Sequence, residues 1–107
     1  MANTLFDFAR QRFLEAQINW MTDTIKVILV STSAYTPQTA VHQYLSDISG
    51  SARIAGPVTL TAKATTGGAA DAADATFTSV SGSTINAIVI YKDTGTEATS
   101  PFLAYID

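Results

Sequence analysis

His42 is the only histidine of the 107-residue chain, so any Ser-His-Asp chemistry would have to begin with it. Such a triad needs a nucleophilic serine and a carboxylate within hydrogen-bond reach of the imidazole ring. Ser46 follows His42 at helical spacing and Asp47 is the nearby carboxylate, but the chain has no G-x-S-x-G sequence to present any of its nine serines on a strand-to-helix turn. The spacing therefore favours a structural histidine over a catalytic one.

Asp71 and Asp74 lie in the sequence GGAADAADA, which has the small residues of a calcium-binding loop. An EF-hand loop needs oxygen ligands at alternate positions and a late bidentate glutamate. Alanines fill the intervening positions here, and no glutamate follows before Glu97. We interpret the two aspartates as solvated loop carboxylates rather than metal ligands.

The remaining acidic clusters are also explained as surface charge. Asp7 and Glu15 lie two turns apart on one predicted helix, where neighbouring arginines can pair with them. The sequence DTGTE at 93–97 lacks the G-K-[ST] core of a phosphate-binding loop and favours a hairpin turn. The sequence consequently predicts a non-enzymatic protein with no catalytic residue, no metal site and no cofactor.

Charge and composition argue against several classes of partner. The net charge is −3, the isoelectric point is about 4.8 and the six basic residues are scattered, so nucleic-acid binding is not expected. The absence of cysteine excludes disulfides and thiolate chemistry. The longest apolar run, 25–30, is too short to span a bilayer, and the N-terminus lacks a signal-peptide pattern. We expect a soluble protein made in a cytosol, with neither nucleic-acid nor membrane partners.

The length of the chain predicts a single domain over residues 1–107. Apolar residues make up 47%, but much of that share is alanine, which buries little surface per residue. We therefore expect a thin core and self-association into a homo-oligomer.

The hydrophobic spacing predicts a helix followed by strands. Apolar residues recur at helical spacing over 4–17, and a β-rich body follows over 24–107. The two strongest strands, 25–31 and 85–92, are apolar on both faces, which indicates central strands covered on both sides.

Weaker patterns complete the predicted fold. The segment from Pro37 to Gly50 favours a short second helix, with a loop of one or two turns as the alternative. Further strands are predicted at 57–65, 75–80 and 101–106, with a flexible loop at 65–75. The prediction is a mainly β or α+β fold, with about five mostly antiparallel strands in a sandwich- or barrel-like domain.

Aromatic residues crowd the N-terminal end of the sequence, where Phe6, Phe8, Phe13 and Trp20 occur. A platform for stacking bases needs accompanying positive charge, and only two arginines are close to these rings in the sequence. We therefore expect the four rings to pack in a core or a subunit interface. Tyr105 in the last strand is added as an interface candidate, because tyrosine is enriched at interfaces.

Two overlapping stretches of the sequence are SARIAGPVTLTAKATTGGAADAADATFTSVSGSTINA and the C-terminal INAIVIYKDTGTEATSPFLAYID. Together they resemble small virion proteins encoded among the structural genes of tailed bacteriophages. The resemblance covers the chain from Ile25 onward, and its strings contain no catalytic fingerprint. Related phage proteins run past the AYID string into a further strand or two, which implies an incomplete C-terminus at Asp107.

Within this group the chain most resembles a capsid decoration (cement) protein. That resemblance implies binding to the major capsid protein on the capsid surface of a virion assembled in the host cytoplasm, with a trimer at a symmetry axis as one arrangement. The alternatives are a tail, neck or fibre-base component, or a host-surface or carbohydrate-binding module in which Trp20 and the tyrosines would line a sugar platform.

Overall fold

A computed structural model describes residues 3–78, 80–82 and 84–107 and is built mainly from antiparallel strands. Its regular elements in chain order are β1 (Thr4–Leu5), α1 (Asp7–Leu14), β2 (Ile25–Val30), β3 (Arg53–Thr59), β4 (Ala64–Thr66), β5 (Ala69–Asp71), β6 (Ala87–Lys92) and β7 (Phe102–Ile106). Five strands form one sheet in the order β1-β7-β6-β2-β3, and β4 pairs with β5 in a separate hairpin. The mainly β class predicted from the sequence is confirmed.

The centre of the sheet is the pairing of β2 with β6. Both strands are rich in valine and isoleucine, and they pair without a break from Ile25 to Val30. Residues directly opposite one another share a face, and successive residues alternate between faces. One face, called the inner face, therefore carries Ile28 opposite Val89. The other, called the outer face, carries Leu29 opposite Ile88.

The inner face is the core of the molecule. Its members in β2, β6 and β7 are almost fully buried: Ile28, Val30, Ala87, Val89, Tyr91, Phe102 and Tyr105. The Phe6 ring stacks on Phe102, with centroids 4.6 Å apart and an interplanar angle of 26°. Each aromatic ring of this size buries a large apolar area, so the pair contributes strongly to the stability of the core.

The segment between β2 and β3 supplies further core residues, among them Tyr35, Leu45 and Ile48. Arg53 at the start of β3 holds this segment in place. Its Nη2 donates to the backbone oxygens of Leu45 and Ile48 at 2.9 and 2.8 Å. The same guanidinium forms an ion pair with Glu97 at 2.8 Å, which ties the turn before β7 to the same point.

The N-terminal helix is shorter than the predicted 4–17. Thr4 and Leu5 pair with β7 as β1, so the helix begins only at Asp7. At the other end Ala16 adopts a left-handed conformation, with φ of +59°. The amide of Gln17 then donates to the Arg12 carbonyl at 2.8 Å, which is the closing bond of a Schellman motif.

The predicted short second helix between Pro37 and Gly50 does not form. The structure has single 3₁₀ turns at Leu45–Asp47 and Gly50–Ala52, close to the alternative of a loop with one or two turns. The carboxylate of Asp47 accepts hydrogen bonds from the amides of Gln43 and Tyr44 at 2.9 and 3.1 Å. Such side-chain bonds offer the backbone an alternative to the helical ladder.

Two strand predictions and one loop prediction differ from the structure. The strand predicted at 57–65 is replaced by β3, which begins at Arg53 and ends at Thr59. The loop predicted at 65–75 contains most of the β4–β5 hairpin, whose two-residue turn uses Gly67 and Gly68 at φ of +57° and +84°. Residues 75–78 and 80 of the predicted strand at 75–80 have no regular structure, and Ser79 lies outside the described residues.

The main sheet runs from β1 at one side to β3 at the other, and the other two strands form the β4–β5 hairpin. The edges of the main sheet are β1, with two residues, and β3, whose register with β2 shifts twice. Gly56 in β3 has φ of +99°, and a Cβ added there would lie 3.0 Å from both the Val27 oxygen and the Phe77 ring. Pro57 follows and lacks a backbone donor, and the pairing with β2 continues at Val58 and Thr59.

Candidate interaction surface

The five residues predicted for an interface do not share one environment. Phe6 and Tyr105 are buried in the core of the chain itself, at 0% and 1% exposure. Phe8 and Trp20 are partly exposed, and Phe13 is 36% exposed. The Trp20 indole donates to the Ala64 oxygen at 3.3 Å, which fastens the β4–β5 hairpin to the body. A role in contact with another chain stays a prediction for all five.

The outer face of the sheet carries a group of apolar side chains that sequence reasoning missed. We call it the apolar row; its members across β1, β7, β6 and β2 are Leu5, Ala104, Ile106, Ile88, Ile90 and Leu29. The row is partly exposed along its length, and Leu5 is 41% exposed. None of the six side chains is polar, so the row has little affinity for water.

The outer face is covered at the N-terminal end of β2, beyond the apolar row. Ile25 and Val27 on that face are buried. Leu60 packs against the core there, and its backbone amide donates a hydrogen bond to the Ile25 oxygen at 2.8 Å. Ile90 and Ala104 of the apolar row also pack against the core, so the outer face of strands 25–31 and 85–92 is buried at Ile25 and Val27 and partly covered along the row. The apolar residues on both faces of these strands were the available signal in the sequence. How far each face is covered depends on where distant segments of the chain pack.

The area of the apolar row limits what it can bind alone. Four strands about 4.8 Å apart, with one or two side chains each, present roughly 200–300 Å². A stable interface between two proteins buries about 800 Å² on each partner. A contact through the row alone is therefore weak, and strong attachment requires further contacts or many copies.

His42 and Asp47, which formed the hypothetical triad with Ser46, make separate contacts. The Nδ1 atom of His42 lies 3.0 Å from the Tyr35 hydroxyl and accepts from the Gln38 amide at 3.3 Å. Asp47 accepts the two backbone amides already described. Both side chains thus hold the backbone of the segment that covers the inner face.

A second cluster of polar side chains, Lys26, Tyr91 and Asp93, lies at the C-terminal end of β6. Lys26 pairs with Asp93 at 2.9 Å, and this hydrogen bond, together with one from the Gly95 amide, lowers the pKa of the Asp93 carboxyl. Burial raises the pKa of the Tyr91 hydroxyl to about 12, and the negative charge of Asp93 adds to the shift. The neutral phenol is thus the stable form of Tyr91 over the ordinary pH range.

Residues 3–78, 80–82 and 84–107 contain no group of three or more His, Cys, Asp or Glu side chains that could hold a metal ion. Within the same residues, no helix has the length and apolar character needed to cross a membrane. Comparisons with protein-family models, with curated proteins and with solved structures found no match for the chain.

Proposed function

We propose that the chain is a non-enzymatic structural protein of a tailed-phage virion, and that it binds the major capsid protein lattice as a decoration or cement protein. The observation that carries the proposal is the apolar row on the outer face of the sheet. Contiguous apolar patches on soluble proteins are often binding sites, and the roughly 200–300 Å² of the row corresponds to a small contact. The resemblance of the chain from Ile25 onward to small phage virion proteins supports the choice of partner.

The size of the row also suits a lattice. A single contact of this area is weak, but many copies held on one particle strengthen attachment through effective concentration. The net charge of −3 and the scattered basic residues suit a position on the outside of the particle, away from packaged nucleic acid. Self-association, including a trimer at a symmetry axis, would add contacts from neighbouring copies.

Binding to separated particle parts tests the proposal. Tagged protein is incubated with purified heads and with purified tails of the phage that encodes it, and bound copies are counted by mass spectrometry. We expect on the order of hundreds of copies on heads, whereas a neck or tail ring would take roughly six to twelve because such rings are cyclic oligomers. Binding to tails alone, or to a glycan array and to neither particle part, would contradict the capsid assignment.

A matched pair of variants tests whether the row makes the contact. Ile88→Ser lies in the row, whereas Val41→Ser makes an apolar-to-serine change on a loop residue that is 63% exposed. We expect Ile88→Ser to reduce head occupancy at least tenfold and Val41→Ser to change it less than twofold. Far-UV circular dichroism and urea unfolding establish that both variants are folded, and equal occupancy of the two would refute the role of the row.

A further inference from the structure

Arg12 in α1 is a partly buried cation without a carboxylate partner among the described residues. The ion pairs there belong to other cations: Arg10 with Asp7, Lys26 with Asp93, Arg53 with Glu97 and Lys92 with Asp23. Arg12 Nη2 donates only to neutral groups, the Gln43 side-chain oxygen at 3.0 Å and the Tyr44 hydroxyl at 2.9 Å. Its Nη1 is buried and has no acceptor among the residues that the structure describes.

The surroundings of Arg12 reduce its contact with water without neutralising its charge. The guanidinium carbon lies 5.0 Å from the centre of the Tyr44 ring and 5.7 Å from that of Phe8. Aromatic faces attract a cation, but they do not replace a counter-ion. A partly desolvated charge of this kind is stabilised when an opposite charge approaches it.

A surface cavity of about 380 Å³ adjoins Arg12 and has Lys92 in its wall. Lys92 Nζ donates to the Gln17 oxygen at 2.9 Å and lies 3.3 Å from Asp23 Oδ2. An ammonium group has three donors, so one remains for a further acceptor. The rest of the cavity is lined by hydroxyl-bearing, amide and apolar side chains: Gln17, Tyr44, Thr94, Thr99 and Pro101.

The charges around the cavity indicate which anion fits. Arg12 and Lys92 contribute two positive charges and Asp23 one negative charge, which leaves an excess of one positive charge. We propose that the cavity between Arg12 and Lys92 binds a carboxylate, of the kind that an aspartate or glutamate of a partner protein would present. A singly charged carboxylate neutralises the excess, whereas a dianion would add repulsion with Asp23.

The site is defined by side chains of this chain alone and does not depend on the proposed capsid partner. The test is a titration of ¹⁵N-labelled protein with sodium acetate at pH 7, followed by NMR against sodium chloride at equal ionic strength. We expect saturable shifts at Arg12 Nε and at the amides of Tyr44, Thr94 and Thr99. No saturable shift, or the same shift with chloride, would refute the proposal.

Matched variants separate the site from a general effect of charge. Arg12→Met and Arg10→Met each remove one positive charge from α1, but Arg10 pairs with Asp7 outside the cavity. We expect at least tenfold weaker acetate binding for Arg12→Met and less than a twofold change for Arg10→Met. Because Arg12 also holds Gln43 and Tyr44, Lys92→Met serves as a second variant, with at least threefold weaker binding expected.

Two further results would overturn the assignment. Equal weakening by Arg10→Met and Arg12→Met would show that acetate responds to overall charge rather than to the cavity. Sodium sulfate binding more than tenfold tighter than acetate would show that the cavity prefers a dianion, which contradicts the charge count around Arg12, Lys92 and Asp23.

Discussion

The inner and outer faces of the sheet are built from similar side chains but lie in different environments. Val89 on the inner face is fully buried, whereas its neighbour Ile88 on the outer face is partly exposed. The inner face is covered by Phe6 and by the segment between β2 and β3, while the outer face is buried near Leu60 and partly exposed along the apolar row. The hydrophobicity of a strand alone therefore does not distinguish a buried face from a partly exposed one such as the apolar row.

The largest expected effect comes from removing a ring from the inner face. Phe102→Ala deletes a fully buried ring that stacks on Phe6, and we expect a loss of about 3–5 kcal/mol in the free energy of unfolding. This is a large part of the roughly 5–15 kcal/mol available to a domain. Urea unfolding followed by circular dichroism measures the loss.

Phe13→Ala is the matched control for that substitution. Phe13 is 36% exposed, so less of its apolar area is buried, and the expected loss is about 1–2 kcal/mol. Equal losses for the two phenylalanines would mean that the inner face is not the main source of stability.

A finer test uses adjacent positions of β6. Val89→Thr places a hydroxyl in the core, where an unpaired polar group costs about 1–3 kcal/mol. Ile88→Thr places the same hydroxyl on the outer face, where water can reach it, and we expect a loss of about 1 kcal/mol or less. The measurement is the urea midpoint at a constant m-value, and a larger loss for Ile88→Thr would reverse the assignment of the two faces.

The smallest expected effect is a dependence on alkaline pH that arises on the inner face. Burial raises the pKa of Tyr91 to about 12, against about 10 in the unfolded chain. The unfolded chain therefore loses this proton first, so the contribution to stability is complete below pH 10 and falls as the pH rises from 10 through 12. Burial likewise raises the pKa values of Tyr35 and Tyr105, which act in the same direction.

Comparison with Tyr91→Phe isolates this effect from lysine titration, which is common to both proteins. We expect the urea midpoint of the wild type to fall more steeply than that of Tyr91→Phe between pH 9 and 11. Parallel curves would show that the Tyr91 proton is not coupled to folding.

Much of the fold follows from local pattern. The sequence by itself determined that β2, β6 and β7 are strands, because runs of β-branched and aromatic residues suit a pleated, buried surface. It also determined that a helix lies near the N-terminus, although its ends were misplaced. The pairing of Thr4 and Leu5 with β7 shortened that helix, and such a pairing depends on residues a hundred positions away.

The candidate surfaces were decided only by the tertiary structure. Alternation within β6 assigns Ile88 and Val89 to opposite faces, but it does not say which face the rest of the chain will cover. In the same way, the composition shows that Arg12 is one of six basic residues, whereas only the fold places it near Lys92 and, within the described part of the chain, without a carboxylate partner. Burial and charge pairing are sums over contacts between distant segments, and the local sequence does not contain those contacts.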